Sequence, residues 1–294
     1  MSFSHLETGD PILVAAPAGP FKKDLFLQGI KNLEKIGFQP KYRKDIASQK
    51  KFLAGTDQRR SQEIIDTLTD RSSRVLLFAR GGYGCQRIVE NLPPKISPKL
   101  LIGSSDLTVL LNVVWQKYHI PSLYGPMVAP HFRDEKNAKI LKKVLTDPHY
   151  FSKQKLKAKK IIRPGKAKGT IVGGCLSLVI STLKTPWEID TDDKILLLED
   201  THEAPYKVDR MLTQLLQSGK LSRVKALVLG TFRLKETSFP KEIRDVVEER
   251  LKNFSKPVLW GIPFGHCPHP LYVPIGLTGE VSEGQLKILD NILI

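Results

Sequence analysis

The sequence reads as an α/β chain of two domains, on three observations. Short, continuously apolar runs suited to strands buried on both faces alternate with stretches whose apolar residues recur at helical spacing. Glycine- or serine-rich turns close several of those runs, where open parallel sheets present their chemistry. The 294 residues, 41% apolar and 26% charged, supply enough apolar surface for two cores and exclude disorder over the whole chain.

Pro11–Ala16 is predicted as a buried strand, ended by Pro17-Ala18-Gly19-Pro20. Lys22–Ile36 follows as a helix with Phe26, Ile30 and Leu33 on one face. Asp57–Leu68 is a second helix and Arg74–Ala79 a second buried strand. Gly81-Gly82-Tyr83-Gly84 turns the chain into a helix predicted over Cys85–Leu92. Leu100–Gly103 is another apolar strand and Leu107–Lys117 another helix. From His131 to Lys168 the composition turns charged, with one helix at Asn137–Leu145. The predicted boundaries are therefore 1–135 for an N-terminal α/β domain, 136–168 for a basic linker, and 169–294 for a C-terminal α/β domain. In the last, Gly169–Gly174 and Lys194–Leu198 read as strands, and Tyr206–Gln217 as a helix striped by Val208, Met211, Leu212 and Leu215. Val224–Leu229 reads as a strand, Lys241–Leu251 as a helix and Val258–Trp260 as a strand. Tyr272–Ile294 reads as short strands around Gly279 and Glu283-Gly284.

Lys+Arg number 46 against 30 Asp+Glu, a net charge of +16. The densest basic run, Lys153–Lys160 with Arg163, Lys166 and Lys168, has no interleaved aromatics and matches no nucleic-acid recognition motif. It reads as a solvated linker, and no nucleic-acid partner is expected. No stretch of 18 apolar residues occurs, and the N-terminus lacks a basic region followed by an apolar one, so a cytoplasmic protein with no membrane partner is expected. Three cysteines, Cys85, Cys175 and Cys267, form no CxxC pair, which argues against a disulfide framework or a structural zinc site. There is no G-x-x-x-x-G-K-[ST] run, and Gly82-Tyr83-Gly84-Cys85-Gln86-Arg87 fails the dinucleotide fingerprint at its last position. No metal or cofactor is expected.

Four pieces fall on strand-to-loop transitions. Gly103-Ser104-Ser105-Asp106 closes a strand and opens a helix, and the small residue two before Ser105 permits the sharp turn of a nucleophile elbow. The same tetrapeptide also reads as a helix N-cap. A serine needs a base to become a nucleophile, usually a histidine oriented by a carboxylate. Of seven histidines, His266 follows a strand and a Pro-rich turn. His5, His119, His131 and His149 lie in polar segments, while His202 and His269 are nearby competitors. Glu199 ends the run Leu196-Leu197-Leu198, with Asp200 and Glu203 close behind. The Gly81–Gly84 turn suits an oxyanion hole, or else a tight turn needing positive φ.

In this order the motifs resemble one family. Arg80-Gly81-Gly82-Tyr83-Gly84, Gly103–Thr108, Tyr124-Gly125-Pro126-Met127, Gly173-Gly174-Cys175-Leu176-Ser177-Leu178, Leu198-Glu199-Asp200 and Gly265-His266 are similar to the LD-carboxypeptidase (muramoyl-tetrapeptide carboxypeptidase) family of serine peptidases, which includes microcin C immunity peptidases. Val14–Pro20 and Gly55–Arg60 are similar too, so the resemblance spans residues 12–289. It implies a flavodoxin-like parallel-sheet N-terminal domain and a C-terminal α/β domain with a small barrel-like sheet. It further implies a triad of Ser105 as nucleophile, His266 as base and Glu199 as orienting carboxylate. The oxyanion donors would be the N–H groups of Gly82 and Asp106, and Tyr83, Glu203 and Cys175 are candidate substrate-binding residues. The implied reaction removes the terminal D-alanine from a murein tetrapeptide in peptidoglycan recycling, in a homodimer without metal or cofactor. Two departures stand out: Cys175 where asparagine is usual, and Ser104 where an aromatic residue is frequent, which sets a second hydroxyl beside Ser105. A same-family peptidase acting on a peptide–nucleotide antibiotic is the alternative. A non-catalytic basic binding protein is the alternative of a different class, and it gives no reason for the ordered serine, glutamate and histidine.

Overall fold

A computed structural model describes residues 3–154 and 156–293. Met1 and Ser2 of the N-terminal reading, Lys155 of the basic run and Ile294 of the last predicted strands lie outside the described residues. The chain divides into two compact units, Met1–Phe151 with Asn291–Ile294, and Ser152–Asp290.

The first unit is built on β1 (Pro11–Ala15), β2 (Gln39–Lys41), β3 (Val75–Phe78), β4 (Leu100–Gly103) and β5 (Ser122–Tyr124). These five lie in the order β2-β1-β3-β4-β5 with every pair parallel, the flavodoxin-like order. The central runs are continuously apolar because helices cover both faces, and Leu76–Phe78 and Leu100–Ile102 are all at 0% exposure. Around them pack α1 (Lys23–Lys35), α2 (Asp57–Thr69), α3 (Leu107–Tyr118), α4 (Val128–His131) and α5 (Glu135–Thr146), followed by a single turn, α6 (Tyr150–Lys153). Phe26, Ile30 and Leu33 of α1 are buried, as their spacing predicts. Thr56 caps α2 by accepting from the Arg59 N–H at 3.1 Å. The helix predicted over Cys85–Leu92 is instead two 3₁₀ turns, Cys85–Arg87 and Val89–Asn91. Gly84 enters them at φ 132°, Ile88 between them sits at φ −119°, and the Cys85 N–H is taken by the Asp106 carboxylate at 2.7 Å. No α-helical turn can propagate through that geometry.

The second unit carries β6 (Leu156–Lys157), β7 (Lys160–Arg163), β8 (Ala167–Cys175), β9 (Lys194–Thr201), β10 (Ala226–Arg233), β11 (Val258–Trp260), β12 (Val273–Ile275), β13 (Thr278–Ser282) and β14 (Gln285–Ile288). Apart from β12 they form one mixed sheet, β6-β14-β13-β8-β9-β10-β11-β7. Its centre, β8 to β11, is parallel and its flanks are antiparallel. Helices α7 (Leu176–Ser181), α8 (Pro205–Gln217) and α9 (Lys241–Arg250) follow β8, β9 and β10. The sheet is an open ladder, yet its two edge strands are consecutive in the chain. Between them the Ala158 N–H donates to the Gly284 carbonyl and the Lys159 N–H to the Trp260 carbonyl, both at 2.9 Å. Residues 156–163 thus cross from one edge to the other, which gives the sheet its barrel-like character without a closed barrel.

The segment 136–168, read from composition as a basic linker carrying one helix, is part of the fold. Its first portion is α5, whose Ala138, Leu141, Val144 and Leu145 are fully buried, and its last portion forms β6 and β7. The basic side chains have local partners: Lys160 pairs with Glu248 at 2.5 Å, Lys159 lies 4.2 Å from the Phe239 ring centroid, and Arg163 donates to the Lys252 carbonyl at 2.6 Å. Charge density alone cannot report pairing with residues 80 to 90 positions away. Among the described residues, no helix is long and apolar enough to cross a membrane.

Candidate active site

In the first unit the chain leaves β4 at Gly103 and enters α3 at Leu107. Ser105, between them, is held at φ 62°, a left-handed conformation that costs a non-glycine residue about 1–2 kcal/mol. This is the geometry of an elbow serine rather than of an N-cap, which takes extended φ/ψ. Asp106 stands at the cap position with αR dihedrals and makes no side-chain cap. The turn is anchored at each end: the Ser105 N–H donates to Tyr124 Oη at 2.9 Å, and its carbonyl accepts from the Thr108 N–H and hydroxyl at 2.8 and 2.6 Å. Ser104 is buried and Ser105 is not, so only the second hydroxyl of the pair is presented to solvent.

The Gly-rich turn lies against this elbow. A Cβ added at Gly81 would stand 2.7 Å from Ser105 Cβ, 2.9 Å from its Oγ and 3.3 Å from the Asp106 nitrogen. Gly82 has φ 108°, and the Gly19 N–H donates to the Gly81 carbonyl at 3.0 Å, joining the loops after β1 and β3. The Ser105 N–H is committed to Tyr124, whereas the N–H groups of Gly82 and Asp106 make no hydrogen bond among the described residues. The Asp106 carboxyl is pushed up by burial, against which the backbone N–H of Cys85 and the nearby Arg60 charge hold it down. Arg60, fully buried, donates to the Gly84 carbonyl at 2.8 Å and also to the Pro17 carbonyl and Asp57. It braces the turn from below. Tyr83 is half exposed, its ring edge-on to Phe52 at 5.6 Å.

In the second unit Glu199 lies at the carboxyl end of β9, fully buried, and His266 in the loop after β11. His266 Nδ1 is 2.7 Å from Glu199 Oε2, which also accepts the His266 N–H at 3.1 Å. A carboxylate only accepts, so Nδ1 carries the proton and Nε2 is left with a free lone pair. Burial pulls the imidazole pKa down, but the charge and hydrogen bond of Glu199 and the charge of Asp200 outweigh it. The net value lies above the ordinary 6.5, with Arg233 opposing the rise. The two side chains meet because residue 265 is glycine: at φ 87°, a Cβ there would stand 2.2 Å from Glu199 Oε2.

Asp200 faces away from this pair. It accepts from the Ser177 and Thr201 N–H groups at 2.8 Å each, tying β9 to the start of α7. Burial, then the Glu199 charge, raise its pKa to about 6. The Cys175 thiol, buried, lies 3.4 Å from Asp200, and burial ahead of the two carboxylate charges drives its pKa well above the usual thiol range. Cys175 is thus a neutral donor packed on Asp200. Glu203 pairs with Lys207 at 3.3 Å beside the start of α8. His202, the nearest competitor, is exposed at φ 61° with its N–H on the Arg233 carbonyl. Arg60 and Tyr124, both fully buried, are the supporting residues to which sequence reasoning assigned no role. For Arg60 a signal was available, since Arg60, Ile64 and Leu68 fall on one helical stripe.

Among the described residues, no group of three or more His, Cys, Asp or Glu side chains is placed to hold a metal ion. The first unit thus holds a strained serine beside unengaged backbone N–H groups, and the second, by itself, an imidazole oriented by a carboxylate. Residues 12–125 match the family model of the LD-carboxypeptidase N-terminal domain, and residues 168–281 that of its C-terminal domain. The chain belongs to the LD-carboxypeptidase family. It is 32% identical to the probable murein peptide carboxypeptidase of Bacillus subtilis (strain 168), with 96% of each chain covered. It is 26% identical to the microcin C7 self-immunity protein MccF of Escherichia coli, over 95% of this chain and 92% of that one. Among solved structures it resembles the muramoyltetrapeptide carboxypeptidase of Oxalobacter formigenes, with a TM-score of 0.83, 29% identity, and 96% of this chain and 99% of that one covered.

Proposed function

We propose that this protein is a serine-type LD-carboxypeptidase that removes the terminal D-alanine from murein tetrapeptides in the cytoplasm, as a step of peptidoglycan recycling. The observation that carries the reading is the His266–Glu199 pair at 2.7 Å in a chain of this family. In the proposed mechanism Ser105 Oγ attacks the carbonyl before the D-residue, while His266 Nε2 takes its proton. The N–H groups of Gly82 and Asp106 hold the oxyanion, each contributing about 3–4 kcal/mol of barrier lowering. The imidazolium, stabilised by Glu199, then protonates the leaving amine, and water deacylates Ser105 by the same path reversed.

The test is incubation of the purified protein with murein tetrapeptide, D-alanine release being followed by mass spectrometry. Ser105→Ala should lower kcat by a factor of about 10⁶. A variant that keeps most of its turnover removes Ser105 from the mechanism. The panel includes a peptide–nucleotide conjugate, because an Escherichia coli relative is a microcin self-immunity protein and Cys175 departs from the asparagine usual at its position. Preferential turnover of the conjugate would move the substrate assignment to that class and leave the chemistry as written.

A further inference from the structure

A carboxypeptidase must tell a chain end from a chain interior, so it needs a group that binds a free carboxylate. That group has a constrained position. The amine protonated by His266 and the carboxylate to be recognised sit on the same α-carbon of the departing residue. The carboxylate therefore lies a few ångströms from the imidazole, and its binding group must stand beside His266.

Glu199 and Thr201 point to the same face of β9, because side chains alternate along a strand. Arg233, the last residue of β10, is the register partner of Thr201 in the neighbouring parallel strand. Its side chain therefore projects on the face that carries Glu199, one strand across and two residues further along. Among the residues that end the four parallel strands, Cys175, Thr201, Arg233 and Trp260, only Arg233 bears a positive charge. Its proximity to His266 is also electrostatic, since its charge opposes protonation of the imidazole.

The guanidinium is positioned yet weakly engaged. Its Nε donates to the Lys235 carbonyl at 3.1 Å within the tight turn closed by the Leu234–Thr237 bridge, which fixes its direction. Its only carboxylate partner among the described residues is Glu236 at 3.3 Å, a side chain 95% exposed. A pair that exposed contributes little and exchanges readily for a better acceptor. Arg87, the basic residue of the Gly-rich turn, differs: its Nε and Nη2 are both on Asp57, the former at 2.9 Å.

Building on the serine carboxypeptidase reading above, we propose that Arg233 binds the free α-carboxylate of the departing D-amino acid and sets the enzyme's exopeptidase specificity. The planar fork of arginine suits a bidentate carboxylate, and leaving Glu236 frees an Nη2 donor to act beside Nη1.

The experiment compares kcat/KM for murein tetrapeptide and for its C-terminal carboxamide, in wild type, Arg233→Met, Arg233→Lys and Glu236→Gln. Serine labelling by a fluorophosphonate is measured on the same preparations. The expected result is a loss of about a hundredfold or more on the free acid in Arg233→Met, with the carboxamide changed by less than about threefold. The wild-type preference for the free acid then disappears, Arg233→Lys restores part of it, and Glu236→Gln retains it. Equal labelling of wild type and Arg233→Met with an unchanged preference for the free acid overturns the role of Arg233 and leaves the serine mechanism standing. So does an equal loss on both substrates. Absence of labelling in wild type refutes the serine mechanism itself, and the carboxylate assignment with it.

Discussion

Gly265→Ala is the smallest change that should disable the proposed enzyme. A Cβ at this position would lie 2.2, 2.3 and 2.4 Å from Oε2, Cδ and Cγ of Glu199. Ordinary contact begins beyond 3.4 Å, so the carboxylate must retreat by about 1 Å or more. The 2.7 Å bond to His266 Nδ1 would then open past hydrogen-bond range. Loss of the orienting carboxylate in a serine triad lowers kcat by about 10⁴, and that is the expected effect. The left-handed φ of 87° adds backbone strain, and crowding around a fully buried Glu199 adds more, for about 2–4 kcal/mol of stability together. The assays are D-alanine release and thermal unfolding followed by circular dichroism. Glu199→Gln, which leaves residue 265 untouched, should lose comparable activity with a smaller loss of stability. A folded Gly265→Ala enzyme with kcat within about tenfold of wild type would refute the steric argument and the importance of the Glu199–His266 bond.

Three further predictions test separate pieces. Ser105→Gly and Ser105→Ala should both lack turnover, but the glycine variant should be the more stable of the two by about 1 kcal/mol in urea unfolding, the reverse of the usual order, because φ is 62° here. The acidic limb of kcat/KM should lie above pH 6.5, since His266 accepts a proton only when neutral and its pKa is raised. Asp200→Asn removes a charge that raises it and should move the limb to lower pH, whereas Arg233→Met, tested on the carboxamide substrate, should move it to higher pH. Limbs moving together, or not at all, would contradict the charge map. Lys99 is fully buried with its Nζ on the Asp70 carbonyl at 2.8 Å, and burial lowers its pKa from 10.5 to about 8. Between those values the unfolded chain binds more protons, so stability should rise by about 3 kcal/mol as pH increases through that window. Lys99→Met should abolish that slope and raise stability at pH 7 by about 1–2 kcal/mol, after loss of one hydrogen bond.

Burial on both faces is what made part of the fold legible. β1, β3 and β4 are apolar at nearly every position, so their sequences carry no competing pattern. β2, with Gln39 and Lys41 exposed, and β5, only three residues long, leave no such trace. β6 and β7 were invisible for another reason: their partners β14 and β11 lie roughly a hundred residues downstream, and their lysines resemble a solvated run. At the candidate site, Ser105, Glu199 and His266 are each weak signals alone, since Ser105 also reads as a helix N-cap; their order along the chain and the family resemblance single them out. Arg60 and Tyr124 do not stand out, because they act through tertiary contacts, and a charged residue on a helix reads by default as surface.

The Gly-rich turn shows how a correct motif can carry an incomplete reason. Two explanations fit the sequence: backbone donors for an anion, or a conformation that needs positive φ. Gly82 and Gly84 do adopt positive φ, at 108° and 132°. Gly81 does not. What excludes a side chain there is Ser105, whose Cβ would sit 2.7 Å from that of an alanine. Gly265 repeats the logic with Glu199 in the second unit. Each of these glycines is required by the side chain it makes room for. A substitution at Gly81 should therefore disturb the serine it touches before it disturbs the turn, so that activity falls further than stability.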